Sequence, residues 1–189
     1  FVHSEQTQYQ ELAEIRVMLR QQLKTHIFVD RQKNMSQTLP ISVTVASGIS
    51  KTGKSARGIA GGLGGLEIAQ LSQEHINEVT QNTVRLTKAS HLAPGRYQII
   101  TGPDVTGVIA HEAFGHTQEG DTWMKGRSIA ENLHKEKRKV GNDMASIVNH
   151  PNMFTMDRHV FGTNGSYFFD HEGELGRFQV ILDMGKLSP

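Results

Sequence analysis

Short segments of alternating apolar and polar residues in the first third of the chain restrict the folds open to it. Residues 14–20 place their apolar side chains on one side of a strand and their charged ones on the other, which is typical of a half-buried strand. Residues 26–30 and 41–45 repeat the pattern, and polar stretches separate the three segments. Because the connections are too short for crossover helices, we expect an antiparallel meander.

Helical and strand patterns are mixed in the rest of the chain. Ser72 is a suitable N-cap for a helix that runs to about Ser90, and Pro103 with Asp104 forms a favourable first turn for a second helix. Further strands are predicted at residues 97–100, 167–169 and 178–182, with a turn at 170–173 and a solvated helix face or loop at 122–142. We therefore predict an α+β fold, an antiparallel sheet with a few helices.

Composition excludes several classes of protein. The chain has 189 residues, enough for one domain or for a domain and part of another, and it contains no cysteine, which excludes disulfides and cysteine-ligated zinc from this chain alone. Its 20 basic and 19 acidic residues argue against a dedicated nucleic-acid binder. No apolar run reaches the roughly 18 residues of a membrane span, so we expect a soluble, cytoplasmic protein. Since the chain starts at Phe1 rather than Met, we also expect it to be a piece of a longer one.

Residues 48–55 match the P-loop pattern G-x-x-x-x-G-K-S and follow a predicted strand. A functional P-loop continues into a helix whose N-terminus binds phosphate. Here five glycines fall within residues 58–65, and each destabilises a helix by about 1 kcal/mol relative to alanine. We therefore predict a glycine-rich loop and keep a nucleotide-binding protein only as a remote alternative.

The segment from His111 to His116, with the sequence H-E-A-F-G-H, concentrates two imidazoles and a carboxylate in six residues. Such a set suits a hydrolytic zinc site, which needs nitrogen ligands and a base. The histidines are five residues apart, about 140° around an ideal helix. A straight helix cannot direct both at one ion, so either the helix is distorted near Gly115 or His111 points elsewhere. An ordinary polar helix remains the alternative.

The longer string at residues 107–121 resembles the signature of the TldD/PmbA family, metallopeptidases also labelled modulators of DNA gyrase. Residues 61–67 and 94–97 are similar to the family's glycine-rich stretch and to its approach to the motif, and residues 170–173 resemble its D-D-E-G turn, with His171 replacing an acid. The resemblance covers nearly the whole chain. It implies that residues 1–92 are the family's middle domain and that residues 93–189 open its C-terminal metallopeptidase domain.

The resemblance also implies an activity and its residues. His111 and His116 would be Zn²⁺ ligands, and Glu112 would be the general base for the metal-activated water. Family members hydrolyse peptides or unfolded segments inside a closed dimer, so a peptide substrate and a homodimer or a heterodimer with a second family member are expected, without nucleic acid. The family's last ligand is a cysteine further along, so this fragment is expected to be inactive by itself. A non-catalytic subunit that shapes a shared proteolytic chamber is the alternative.

Other polar residues near the motif have weaker claims. Glu119, Asp121 or His171 could complete the metal site, but capping and turn chemistry is the favoured interpretation of Glu119 and Asp121. Trp123 is expected to be a packing anchor rather than part of a peptide groove. We interpret three further histidines as surface residues: His134, His150 and His159.

Overall fold

The computed structural model describes residues 9–136, 138–152 and 166–188. These residues form two compact units, one built from residues 9–95 and 166–173 and the other from residues 96–136, 138–152 and 174–188. Within the described residues, no helix combines the length and the apolar character needed to cross a membrane. The assignment of residues 1–92 and 93–189 to two family domains stays a prediction.

The first unit contains a three-stranded antiparallel sheet in the order β1-β2-β3, formed by Leu12–Val29, Asn34–Ser50 and Ser55–Leu63. The predicted meander is confirmed, but the separate strands at 14–20 and 26–30 are wrong. They belong to one long strand, because the polar residues between them stay in register with β2, from Gln21 opposite Ser42 to Thr25 opposite Thr38. Backbone pairing along the hairpin overrides the turn-forming character of these side chains.

Helix α1 (Gln73–Thr87) packs on this sheet and begins at the predicted N-cap. The backbone N–H of His75 donates to the Ser72 hydroxyl, and the Ser72 N–H donates back to Nδ1 of His75, which closes a capping box. Ile76 and Val79 on the buried face of α1 contact Ala46 of β2 to form the core of the unit. The helix ends three residues before the predicted Ser90.

Glycines let α1 approach the sheet closely. A Cβ built on Gly58 of β3 would lie 2.6 Å from Cγ2 of Val79, and one on Gly48 of β2 would overlap the Thr83 hydroxyl. Both side chains project from the face of α1 that packs on the strands. The glycine-rich stretch is part of strand β3 up to residue 63, and only residues 64–65 form an irregular bend of the kind predicted.

The P-loop pattern falls on a tight turn between β2 and β3. The N–H of Ser50 donates to the carbonyl of Lys54 at 2.8 Å, and Gly53 has a positive φ of 79°, which glycine adopts without strain. A strand rather than a helix follows the turn. The geometry therefore lacks the helix N-terminus that a P-loop requires, and this excludes a P-loop at residues 48–55.

Residues 166–173 lie against the distal part of the hairpin. The buried Gln37 side chain accepts a hydrogen bond from the Phe168 N–H and donates one to the Phe169 carbonyl, each at 2.8 Å. The predicted strand at 167–169 is not formed, because only Phe169 makes a β-bridge and the Phe168 N–H bonds to the Gln37 side chain instead of to a neighbouring strand. The predicted turn is confirmed: the Gly173 N–H donates to the Asp170 carbonyl at 3.2 Å, and Gly173 has a φ of 71°.

The second unit has short helices and a small antiparallel sheet. The helices are α2 (Pro103–Ala110), α3 (Gly120–Met124) and α4 (Ala130–Lys135), and the sheet has the order β4-β5-β6, formed by Ile147–Asn149, Gln179–Asp183 and Lys186–Leu187. The strand predicted at 178–182 is confirmed. The one predicted at 97–100 is wrong, because no strand pairs with these residues in the described part of the chain and Ile99 and Ile100 are exposed.

Candidate metal centre

The H-E-x-x-x-H motif follows α2 directly. Gly102 is the N-cap of this helix, and Pro103 occupies the first turn, where its missing N–H costs no hydrogen bond. At His111 the hydrogen bonding changes, since residues His111–Gly115 form a π-helical turn and the His116 N–H donates to the carbonyl of His111. A turn of 3₁₀ helix, His116–Gln118, follows. Of the two alternatives that the spacing left open, the helix distorted near Gly115 is the one observed.

The π turn brings the two histidines onto one side of the helix. Their ring centroids lie 4.5 Å apart with the planes at 70°. Nε2 of His116 lies 3.7 Å from Oε2 of Glu112. One donor atom from each of His111, Glu112 and His116 falls within 4.8 Å of the others, and all three residues are exposed. The structure thus brings together the three residues that the motif singled out.

Gly115 is not strained by this turn. Its φ of −59° and ψ of −60° are ordinary for a right-handed helix. A Cβ built there would meet Nδ1 of His111 at 3.7 Å, an ordinary contact. The distortion lies beside the glycine, but the glycine is not sterically required for it.

A second carboxylate holds the other ring nitrogen of His116. Nδ1 of His116 lies 2.6 Å from Oε1 of Glu119. This hydrogen bond, followed by the charge of Glu119 and then that of Glu112, raises the pKa of His116 above its ordinary value. The sequence interpretation of Glu119 as a capping residue missed this contact. The signal was the spacing of three residues, which places a histidine and an acid side by side on a helical turn.

The other residues that the sequence analysis singled out near the motif have contacts outside the cluster of His111, Glu112 and His116. Asp121 pairs with Lys125 at 3.1 Å, one helical turn away. His134 packs against the half-buried Trp123, at 5.1 Å between centroids, which supports Trp123 as a packing residue. Nε2 of His134 also lies 3.1 Å from Oε1 of Gln118, the last residue of the 3₁₀ turn. His134 is therefore not a plain surface residue, since it braces the segment that carries His116.

Two further candidates lie away from this cluster, and one cannot be placed. His171 belongs to the first unit, where its ring centroid lies 4.9 Å from that of His26. His150 packs edge-on against Phe178 at 5.5 Å and is partly buried. His159 lies outside the described residues.

The donor set suits zinc. Imidazole nitrogens and a carboxylate are ligands that zinc accepts, with bonds of about 2.0–2.2 Å. Ligands of a tetrahedral zinc ion lie about 3.3 Å apart, and the donor atoms of these three exposed residues already lie within 4.8 Å of one another. The residues present therefore fit the metal that the family resemblance implies.

Comparison with known proteins points to one family. A sequence model of the PmbA/TldA metallopeptidase C-terminal domain matches residues 94–189. A metalloprotease of Methanothermobacter thermautotrophicus is 39% identical over 132 residues, which cover 68% of this chain and 26% of that protein. A zinc metalloprotease TldD homolog of Saccharolobus solfataricus is 31% identical over 118 residues, covering 60% of this chain and 24% of that protein. The matched region thus spans about a quarter of the length of these relatives.

A solved structure supports the fold. A crystal structure from Bacteroides thetaiotaomicron, described as a modulator of DNA gyrase, superposes with a TM-score of 0.78 at 12% identity. The match covers 98% of this chain and 42% of that one. The predicted α+β class, with antiparallel sheets and a few helices, is confirmed.

Proposed function

Because the chain belongs to the PmbA/TldD family of metallopeptidases, we propose that it supplies two zinc ligands and the general base of a peptidase acting on peptides or unfolded segments. One observation carries the proposal. The π turn brings donor atoms of His111, Glu112 and His116 within 4.8 Å of one another.

Each residue of the cluster has a distinct role in this proposal. His111 and His116 would hold the ion through ring nitrogens. When bound, zinc supplies a Lewis acid that polarises the scissile carbonyl and makes water more acidic. The Glu112 carboxylate accepts a proton from the attacking water and returns it to the nitrogen of the leaving amine.

The donor set of this chain is incomplete for a catalytic zinc, which usually keeps three protein ligands and one open position. If Glu112 acts as a base, only the two histidines remain as ligands. We therefore infer that a further ligand comes from the rest of a longer protein, as the family resemblance implies with its cysteine. A cytoplasmic peptidase that works as a dimer is part of the same proposal. A non-catalytic subunit would have no chemical need for all three residues, which favours the catalytic role.

Metal content and peptide hydrolysis test the proposal together. We expect about one zinc per chain in the full-length protein, little in the present 189-residue chain, and loss of hydrolysis on chelation that added zinc reverses. Glu112→Gln should keep the zinc and lower the rate of hydrolysis by about 10²–10⁴-fold. Glu131→Gln is the matched control, since Glu131 pairs with Lys135 at 2.7 Å in α4. Unchanged hydrolysis in Glu112→Gln, or the absence of zinc from both proteins, contradicts the proposal.

A further inference from the structure

We propose that Glu119 is a positioning residue of the metal centre, whose carboxylate holds the hydrogen of His116 on Nδ1 and so presents Nε2 to the metal. The inference rests on the proposed function, because it concerns the same site. It adds a residue outside the H-E-x-x-x-H motif and assigns which nitrogen of His116 is the ligand.

The hydrogen bond determines the tautomer of His116. Oε1 of Glu119 lies 2.6 Å from Nδ1, and an ionised carboxylate only accepts hydrogen bonds. Nδ1 must therefore carry the hydrogen, which leaves the lone pair of a neutral ring on Nε2. Nε2 is the nitrogen that lies near Glu112, at 3.7 Å from Oε2. The two ring nitrogens of His116 thus have different roles: Nδ1 bonds to Glu119, and Nε2 is left to bind the metal.

The local backbone keeps Glu119 in this place. The 3₁₀ turn ends at Gln118, and Glu119 turns to an extended conformation with φ −62° and ψ 124° before α3 begins. Its carbonyl accepts from the Trp123 N–H at 3.0 Å, and its second carboxylate oxygen accepts from the Thr122 hydroxyl at 3.3 Å. Both contacts come from α3, so the helix that follows the motif holds the carboxylate against His116.

The same geometry argues against Glu119 as a direct ligand. A carboxylate bonded to Nδ1 lies on the opposite side of the imidazole from an ion bound at Nε2. Glu119 would have to break its hydrogen bond to reach that ion. Outer carboxylates of this kind fix ring orientation and raise the basicity of the ligand nitrogen, and their loss typically weakens metal binding 10–100-fold.

Zinc affinity of the full-length protein is the first test, measured with zinc alone by competition against a chromophoric chelator. We expect Glu119→Ala to weaken zinc binding about 10–100-fold at unchanged stoichiometry. Glu119→Gln keeps a neutral acceptor oxygen and should recover part of the loss. Glu131→Ala, the control, should stay within about twofold. Circular dichroism checks that each variant is folded.

Cobalt substitution separates a positioning residue from a ligand. We expect the visible absorption of the Co²⁺ form to keep its band positions and intensity in Glu119→Gln, because the ligand set is the same. Zinc affinity of Glu119→Ala equal to that of the parent overturns the inference. So does a Co²⁺ spectrum in Glu119→Gln that reports a lost ligand.

A metal-free measurement distinguishes failure of this inference from failure of the proposed function. Nitrogen-15 NMR of the His116 ring, recorded at alkaline pH where the ring is neutral, should show the Nδ1–H tautomer in the parent and a shift toward Nε2–H in Glu119→Ala. The Nε2–H tautomer in the parent overturns the inference, whether or not zinc binds. A protein with the Nδ1–H tautomer that binds no zinc would contradict the proposed function. The conclusion that Glu119 holds the hydrogen of His116 on Nδ1 would still be valid.

Discussion

The backbone N–H of His116 donates to the carbonyl of His111, five residues earlier, and the two rings lie 4.5 Å apart. In an α-helix the bond from residue i reaches i−4, so side chains four apart share a face. A π turn extends that bond by one residue, so side chains five apart come to share a face instead. The H-E-x-x-x-H spacing and the π turn therefore match each other, since together they place His111 and His116 side by side.

Gly115→Ala tests whether the π turn depends on glycine. Since the backbone angles of Gly115 are helical and a Cβ there meets only Nδ1 of His111, at 3.7 Å, we expect zinc affinity to change by less than about threefold. Stability should rise by up to about 1 kcal/mol, because alanine is the better helix former. Gly107→Ala in α2, where a Cβ meets nothing within 4 Å, is the control. A tenfold loss of zinc affinity in Gly115→Ala alone would show that glycine is required.

Gly58→Ala should destabilise the first unit by about 1–3 kcal/mol, measured by urea denaturation. The added Cβ would lie 2.6 Å from Cγ2 of Val79, so α1 would have to move away from β3. Val79→Ala removes the conflicting atom. The double variant should therefore lose less stability than the sum of the two single changes, and strict additivity would contradict this account.

Gln37→Leu should loosen residues 166–173 from the hairpin. The amide of Gln37 bonds to the Phe168 N–H and to the Phe169 carbonyl, both at 2.8 Å, and each lost bond of a buried group costs about 1–3 kcal/mol. We expect faster hydrogen exchange at the Phe168 amide. Gln22→Leu, a change on the exposed surface of β1, should leave that rate unchanged. Equal exchange in both variants would mean that other contacts hold the segment.

The turn at Asp30 should contribute a pH-dependent stability. Its carboxylate accepts from the N–H groups of Gln32 and Lys33 at 2.6 and 2.5 Å, and these bonds hold the pKa of Asp30 below its usual value. Because the pKa of Asp30 is lower in the folded protein than in the unfolded chain, where it is about 3.9, the ionised carboxylate stabilises the fold above that pH. This stabilisation is lost as the pH falls through the folded-state pKa.

Unfolding midpoints measured from neutral to acid pH check this expectation. Asp30→Asn cannot titrate, so its stability relative to the parent should rise as the pH is lowered. A difference between the two proteins that is constant across this range would show that Asp30 does not contribute in this way.

Met184→Asn should raise the free energy of unfolding by about 1 kcal/mol. Met184 and Gly185 connect β5 to β6 with φ values of 45° and 78°, the conformation of a type I′ turn that favours Asn-Gly. A left-handed backbone conformation at a residue other than glycine or asparagine destabilises the folded state by about 1–2 kcal/mol. Met144→Asn, at an exposed methionine without positive φ, is the control. An equal effect of both changes would point to lost apolar surface rather than relieved strain.

The sequence predicted most of the elements because their signals are local. The alternation in the first third indicated the antiparallel meander, and Ser72 marked the start of α1. The sequence did not predict that the hairpin of β1 and β2 extends beyond helix α1, which covers the sheet. Val17 and Leu19 are 45% and 51% exposed on β1, although their period of two indicated a half-buried strand. Burial depends on what packs on a face, which the pattern of one strand does not contain.

The identity of the candidate metal donors was in the sequence, since only the residue types of His111, Glu112 and His116 were needed to suggest zinc. The sequence did not show that these side chains converge, because the backbone of the same six residues permits hydrogen bonds from residue i to i−4 or to i−5. The folded backbone determines which of the two forms. Contacts between distant segments, such as Gly58 beneath Val79 or Gln37 against Phe168, were likewise decided by the tertiary structure. Local propensity determines which element a segment forms, whereas packing and hydrogen-bond register determine which side chains meet.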